Sequence, residues 1–143
     1  MARYKKVLVL LDLSEHSEQV LAAARDAAAH TDAALVLLHV VEFVPVEPMG
    51  EALMPNPRVE SELVRRARER LRDLIDRVGL TGAAGRVEVG NTKAEVLRVA
   101  EEERPDLIVL GSRERHGLAI MVNFTEDTVL HAAHCDVLVI RVK

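Results

Sequence analysis

Cysteine, aromatic residues and a strong net charge are nearly absent from this chain, and each absence removes a class of function. Cys135 is the one cysteine among the 143 residues, so no internal disulfide is possible and a reducing cytosol is the simplest compartment. One tyrosine, two phenylalanines and no tryptophan leave few stacking platforms for single-stranded nucleic acid. The net charge of -4 argues against nonspecific binding to nucleic acid or to an anionic membrane.

No apolar run is long enough to span a bilayer, and no charged-then-apolar leader is present. We therefore expect neither a membrane span nor a secretion signal. Hydrophobic residues make up 49% and charged residues 29%, which is typical of a soluble globular protein. The length suits one core, and we expect a single domain over residues 1–143.

Four segments are apolar except for His39 in the second, as expected of strands that are covered on both faces of a parallel sheet. They are Val7–Leu11, Ala34–Val41, Leu107–Leu110 and Val137–Ile140. A fifth segment, Arg86–Gly90, alternates and predicts a short strand at an edge.

Helical periodicity of apolar residues fills the intervals between these strands. It covers Val20–Ala28, Leu63–Val78, Val96–Ala100 and the segment through Thr128-Val129-Leu130. Ser14 is the predicted N-cap of the first helix, and Thr92 opens a predicted capping box for the third. Gly79 and Pro105 are the predicted stops of the second and third helices. The arginine-rich remainder of the second helix is interpreted as a solvated face.

Strands that alternate with helices predict an α/β fold: an open five-stranded parallel sheet with helices on both faces. The expected strand order is 3-2-1-4-5, a Rossmann-like arrangement with its switch point between the first and fourth strands. Asp12 and Gly111 then lie side by side at one crevice. We expect Gly111 to let the backbone turn sharply at the end of the fourth strand.

The stretch from Phe43 to Pro57 contains four prolines and Gly50, too many breakers for a regular element. We expect a functional lid or mobile connection there, with a plain surface crossover as the alternative.

Five segments together resemble the universal stress protein family over nearly the whole chain. They are VLVLLDLS from Val7, LLHVV from Leu37, GNTKAEVLRV from Gly90, PDLIVLGSR from Pro105 and VLVIR from Val137. The resemblance implies the same fold (adenine nucleotide alpha hydrolase-like) and a cytoplasmic location. It also implies a homodimer that pairs through the C-terminal strand, near Val137, Val139 and Arg141.

The phosphate loop is where the chain departs from that family. ATP-binding members carry Gly-x-x-Gly, nine residues, then Gly-Ser or Gly-Thr, because phosphate oxygens must approach backbone N–H groups closely. Here Gly111 keeps the first place, Glu114 replaces the second glycine, and Phe124-Thr125 replace Gly-Ser. Glu114 adds a repulsive charge and Phe124 fills phosphate space. The chain therefore resembles the non-ATP-binding universal stress protein A branch.

The nucleoside half of the family's site is better preserved. The resemblance implies a residual nucleotide site, if any ligand binds, at Asp12, Val40, Gly111, Ser112 and Arg113. The alternative for Asp12 is a cap at a strand–helix turn.

Other candidate sites are weighed against simpler interpretations. His131, His134, Cys135 and Asp136 are metal ligands by type, with both histidines on one helix face. The favoured interpretation is that the histidines lie near a helix C-terminus and that Cys135 is a small core residue. His39 is interpreted as a satisfied core histidine.

The resulting hypothesis is a non-enzymatic stress-response homodimer with no cofactor and no tight ATP binding, acting on unknown protein partners. No nucleophile–base pair is fixed by spacing, so we do not expect an enzyme. The alternative is a regulatory module that binds ATP or AMP through the retained adenosine half of the site.

Overall fold

The structure is a computed structural model, and it describes residues 4–29, 31–42, 57–113 and 125–142. The five strands are β1 (Lys6–Leu10), β2 (Ala34–Val41), β3 (Ala84–Val89), β4 (Leu107–Arg113) and β5 (Asp136–Val142). The four helices are α1 (Ser17–Ala27), α2 (Pro57–Val78), α3 (Thr92–Glu103) and α4 (Thr125–Ala132). No helix in the described part of the chain is long and apolar enough to cross a membrane.

The strands form one parallel sheet in the order β3-β2-β1-β4-β5, which confirms the predicted strand order and switch point. Helices α1 and α2 cover one face, where Val20, Leu21 and Leu71 join the core. Helices α3 and α4 cover the other face through Val96, Val99 and Val129. Both faces of the central strands are therefore buried, as their apolar runs predict.

Two predicted helix starts are wrong by one or more residues. Helix α1 begins at Ser17 with His16 as N-cap, and not after Ser14; the Ser14 hydroxyl instead accepts a hydrogen bond from the His16 N–H at 3.2 Å. Helix α3 is capped by Asn91, whose side chain accepts from the Ala94 N–H at 3.1 Å. Asn91 takes the role because it is extended, whereas Thr92 is already helical.

The strand boundaries also differ from the prediction. Strand β3 begins at Ala84, two residues early, because it pairs with Val36 of β2. Strand β4 continues past Leu110 to Arg113, since its last three residues pair with Ile140–Val142 of β5.

The predicted ends of the helices agree with the structure better than the predicted starts do. Gly79 follows α2 in the left-handed region with φ of 74°, and α3 ends two residues before Pro105. The prediction that Phe43–Pro57 contains no regular element is wrong at its last residue, because Pro57 is the first residue of α2. The rest of that stretch, 43–56, lies outside the described residues.

Candidate functional site

The candidate site lies where β1 and β4 end, at the carboxyl edge of the sheet. The two strands are parallel neighbours, with Val9 opposite Val109, so both chains leave the sheet on the same side. Asp12 follows β1 by two residues, and Gly111 and Ser112 lie near the end of β4. This is the switch point at which ligands bind in open α/β sheets.

Asp12 organises the turn that connects β1 to α1. Its Oδ1 accepts hydrogen bonds from the Ser14 N–H at 2.9 Å, the Ser14 hydroxyl at 2.6 Å and the Ser17 hydroxyl at 3.3 Å. This geometry supports the interpretation of Asp12 as a cap at a strand–helix turn. The side chain is also exposed, and its contact with a nucleoside stays a prediction.

Leu13 has an unusual backbone conformation in this turn, and no sequence pattern singled it out. Its φ is 59°, in the left-handed region that a bulky side chain rarely adopts, and its side chain is buried. The Leu13 carbonyl accepts a hydrogen bond from Arg70 of α2 at 2.5 Å. The buried side chain and this bond hold the backbone in a conformation that costs about 1–3 kcal/mol.

Gly111 does not make the predicted sharp turn, because it lies within β4 and pairs with Ile140 of β5. Its φ is not in the left-handed region. A Cβ built at this position would lie 3.0 Å from Val20 Cγ2 of α1 and 3.5 Å from Val142 Cγ1. The glycine therefore lets α1 approach the sheet closely, which is a packing role rather than a conformational one.

Val40 and His39 lie near the end of β2, next to the same edge. Val40 is buried and opposes Glu88 of β3 in the sheet. His39 Nδ1 lies 2.8 Å from the Leu11 carbonyl oxygen, and burial lowers the pKa of this imidazole more than that contact raises it. His39 is thus partly buried and satisfied, as the sequence predicts, and the contact of the Val40 backbone with a base stays a prediction.

Glu42 adds a carboxylate to this edge that the sequence did not single out. Its Oε1 accepts a hydrogen bond from the Thr92 N–H, at the start of α3, at 3.0 Å. Hydrogen bonding by Thr92 lowers the pKa of Glu42, which keeps the group charged. Asp12 and Glu42 therefore both place negative charge at the carboxyl edge, which disfavours phosphate there.

The remaining predicted site residues are only partly described. Ser112 and Arg113 continue the β4–β5 ladder opposite Arg141 and Val142. The side chain of Arg113 and the substituted loop positions, Glu114 and Phe124, lie outside the described residues.

The histidines near the C-terminus are not brought onto one helix face. His131 is in the last turn of α4, whereas His134 lies beyond that helix in the connection to β5, so the predicted shared face is wrong. Both are exposed. Within the described ranges, no group of three or more histidine, cysteine, aspartate or glutamate side chains is placed to hold a metal ion.

Among the residues that the structure describes, strand β5 pairs with β4 alone and forms one edge of the sheet, as predicted. Its residues Val137–Ile140 are all only half-buried, and those on one face pack toward α1 while those on the other pack toward α4. At its start, Asp136 Oδ2 accepts a hydrogen bond from the Tyr4 hydroxyl at 2.9 Å.

Comparison with known proteins agrees with this architecture. The model of the universal stress protein family matches residues 3–141. Universal stress protein A homolog 2 of Coxiella burnetii is 34% identical over 100% of this chain and 99% of its own length. The universal stress protein UspA of Lactobacillus plantarum has a TM-score of 0.72 at 27% identity, over 99% of this chain and 100% of that one. A universal stress protein crystallised in complex with cAMP has a TM-score of 0.73 at 23% identity, over 98% of each chain.

Proposed function

Because the chain belongs to the universal stress protein family, we propose that it is a non-enzymatic stress-response protein that forms homodimers and does not bind ATP tightly. It acts through contacts with other proteins. The single cysteine and the family resemblance support a cytoplasmic location.

The packing of Gly111 is the observation that carries the absence of tight ATP binding. A glycine in a phosphate loop is useful because its missing Cβ lets phosphate approach the backbone. At Gly111 the position that a Cβ would take is next to the side chains of Val20 and Val142. The missing Cβ therefore makes room for these side chains. Glu114 and Phe124, at the positions of the family's other glycines, and the carboxylate of Glu42 add charge and bulk that oppose phosphate.

The free edge of β5 supports the homodimer. An apolar edge strand that is only half-buried invites pairing with another chain. Antiparallel pairing of two β5 strands satisfies both backbone edges about a twofold axis. Asp136 and Arg141 of the second copy would set the register, although Asp136 is shared with Tyr4 and an exposed pair contributes at most about 1 kcal/mol. Apolar contacts of residues such as Val137 and Val139 supply the rest.

The polar groups near the site support a non-enzymatic role. The hydroxyls of Ser14 and Ser17 donate to Asp12, and the Nδ1 of His39 is engaged by a backbone carbonyl. None of these contacts is the serine–histidine hydrogen bond that activates a nucleophile.

The second candidate function is a regulatory module that binds a nucleotide such as ATP or AMP through Asp12 and the backbone near Val40. One observation favours it: a protein of the same fold has been crystallised with cAMP, although at 23% identity. A cyclic monophosphate carries one negative charge, so it would meet less repulsion at this edge than a triphosphate.

Three measurements on one purified preparation test the proposal. A mass spectrum of the denatured protein, followed by titration calorimetry with ATP, AMP and cAMP, is expected to show no co-purified nucleotide and no micromolar ATP binding. Light scattering at tens of micromolar is expected to show a dimer. Co-purified ATP or a micromolar dissociation constant would establish the second candidate instead, and a monomer would refute the homodimer.

A further inference from the structure

Strand β3 is the free edge of the sheet opposite β5. Among the described residues it pairs with β2 alone, so its outer N–H and C=O groups have no strand partner there. Val87 and Val89 pack toward the core cluster of α1 and α2. Arg86 points to the other face, where it contacts Glu102 and Glu103 of α3. The strand thus has anchored side chains and an available backbone edge.

A groove of about 490 Å³ runs along this edge, between β3 and α2. Its apolar residues are Leu71 and Ile75 of α2 and Val87 of β3, and Gly85 of β3 contributes no side chain. A Cβ at Gly85 would lie 3.1 Å from Leu71 Cδ2 and 3.4 Å from Ile75 Cδ1, so the glycine keeps the groove open beside the strand.

Two arginines of α2, Arg68 and Arg72, line the groove on its solvent side. Both are exposed, and in the described part of the chain neither has an ion pair or a side-chain hydrogen bond. Arg65, one turn earlier, differs, because Glu62 and Glu69 neutralise it at 2.5 and 2.6 Å.

Arg86 also borders the groove, but its guanidinium lies on the α3 face of the strand, where carboxylates already neutralise its charge. Carboxylates of Glu88, Glu102 and Glu103 surround it at 2.6, 2.8 and 3.0 Å. Glu88 also lines the groove, and its carboxylate is paired with Arg86 at 2.6 Å and Arg98 at 3.3 Å. The groove therefore offers the two positive charges of Arg68 and Arg72 next to a free strand edge.

We propose that the edge of β3, flanked by Arg68 and Arg72, is a docking site for an extended acidic segment of a partner protein. The segment adds a strand to β3, so the backbone supplies hydrogen bonds. Apolar side chains on one face enter the groove above Leu71 and Ile75, and acidic side chains meet the two arginines. The inference rests on the proposed function, in which the protein acts through protein contacts, and names the surface that it uses.

Charge and shape favour this occupant over two others. A second copy pairing edge to edge would bring another Arg68 and Arg72 to the same interface, which adds repulsion. Nucleic acid would meet the arginines but has no backbone groups that continue a β-ladder, and the net charge of -4 opposes it.

The test uses a fluorescein-labelled hexapeptide of alternating valine and glutamate, titrated with the full chain and followed by fluorescence anisotropy. We expect saturable binding, and an alternating valine–lysine peptide is expected not to bind. The variant Arg68→Glu/Arg72→Glu should weaken binding of the acidic peptide by about tenfold or more, since two exposed ion pairs become repulsive. It should also gain binding of the lysine peptide.

A matched control changes the charge equally away from the groove. Lys93→Glu/Arg104→Glu replaces two cations on and beside α3 that do not line it, and should leave peptide affinity within about twofold. An acidic peptide N-methylated at alternate residues, on the side that would face β3, should lose binding, because it lacks the donors of the ladder.

Three outcomes of the binding experiments would overturn the inference. They are equal affinity of the groove and control variants, equal affinity of the N-methylated peptide, and stronger binding of a single-stranded RNA at the same arginines. A crosslink between two β3 strands in the peptide-free dimer would assign the edge to self-association instead. Dimer mass and nucleotide content, measured on the same preparation, show separately whether the proposed function has failed.

Discussion

The change Gly111→Val tests whether this glycine provides space or backbone freedom. The new Cβ would lie 3.0 Å from Val20 Cγ2, which is tighter than most Cβ contacts, and 3.5 Å from Val142 Cγ1. Two further methyl groups would have to fit between these side chains, which are 5% and 3% exposed. Overpacking of this kind should lower the free energy of unfolding by about 1–3 kcal/mol.

The partner side chain separates the two explanations. Val20→Ala alone should cost about 2 kcal/mol through lost burial and a small cavity. It also vacates the space that the new valine needs. If Gly111 provides space, Gly111→Val/Val20→Ala should be more stable than the sum of the single changes predicts, by about 1 kcal/mol or more.

Two other glycines serve as matched controls in urea unfolding at one fixed protein concentration. Gly82 has no atom within 4 Å of a built Cβ and no left-handed φ, so Gly82→Val should change stability by less than about 0.5 kcal/mol. Gly79 has the same open space but φ of 74°, so Gly79→Val should cost about 1–3 kcal/mol through backbone strain. Strict additivity of Gly111→Val and Val20→Ala would refute the packing explanation.

Three further predictions address the dimer, a helix cap and pH. Val139→Pro should convert the dimer to a folded monomer in light scattering, because proline removes a donor from the shared ladder; a well-folded dimer would exclude β5 as the interface. Asn91→Ala should lower stability by about 1 kcal/mol in urea unfolding, while Thr92→Ala should cost less, since Asn91 supplies the cap of α3. The lowered pKa of His39 means that the unfolded chain takes up its proton first, so stability should fall as the pH drops below about 6.5. His39→Gln should flatten this slope, and identical pH profiles would contradict the assignment.

The sheet was predictable because its signals are local. Continuous apolar runs such as Val7–Leu11 and Val137–Ile140 reflect burial on both faces, and alternation with helices restricts the topology to few arrangements. Gly79 likewise ends α2 by a conformational rule that acts on its own residue.

The details that failed depend on contacts between distant segments. The sequence predicts a turn at Gly111, yet this glycine provides space for Val20 of α1, which no local pattern places beside it. Arg86 lies in an alternating segment like any edge-strand residue, and two of its carboxylate partners, Glu102 and Glu103, come near it only because α3 packs against the sheet. The predicted cap of α3 is wrong for another reason. Asn91 and Thr92 are both common capping residues, and Asn91 takes the role because its backbone is extended.

The left-handed backbone conformation of Leu13 has a consequence for the order in which the protein folds. The bond that holds its carbonyl comes from Arg70, 57 residues further along the chain. The turn after β1 therefore gains its support after α2 has docked, and not while the first strand and helix are forming. Closing so long a loop is slow on the scale of local contacts. Leu13 should consequently belong to the late part of folding, where substitutions accelerate unfolding and leave the folding rate nearly unchanged.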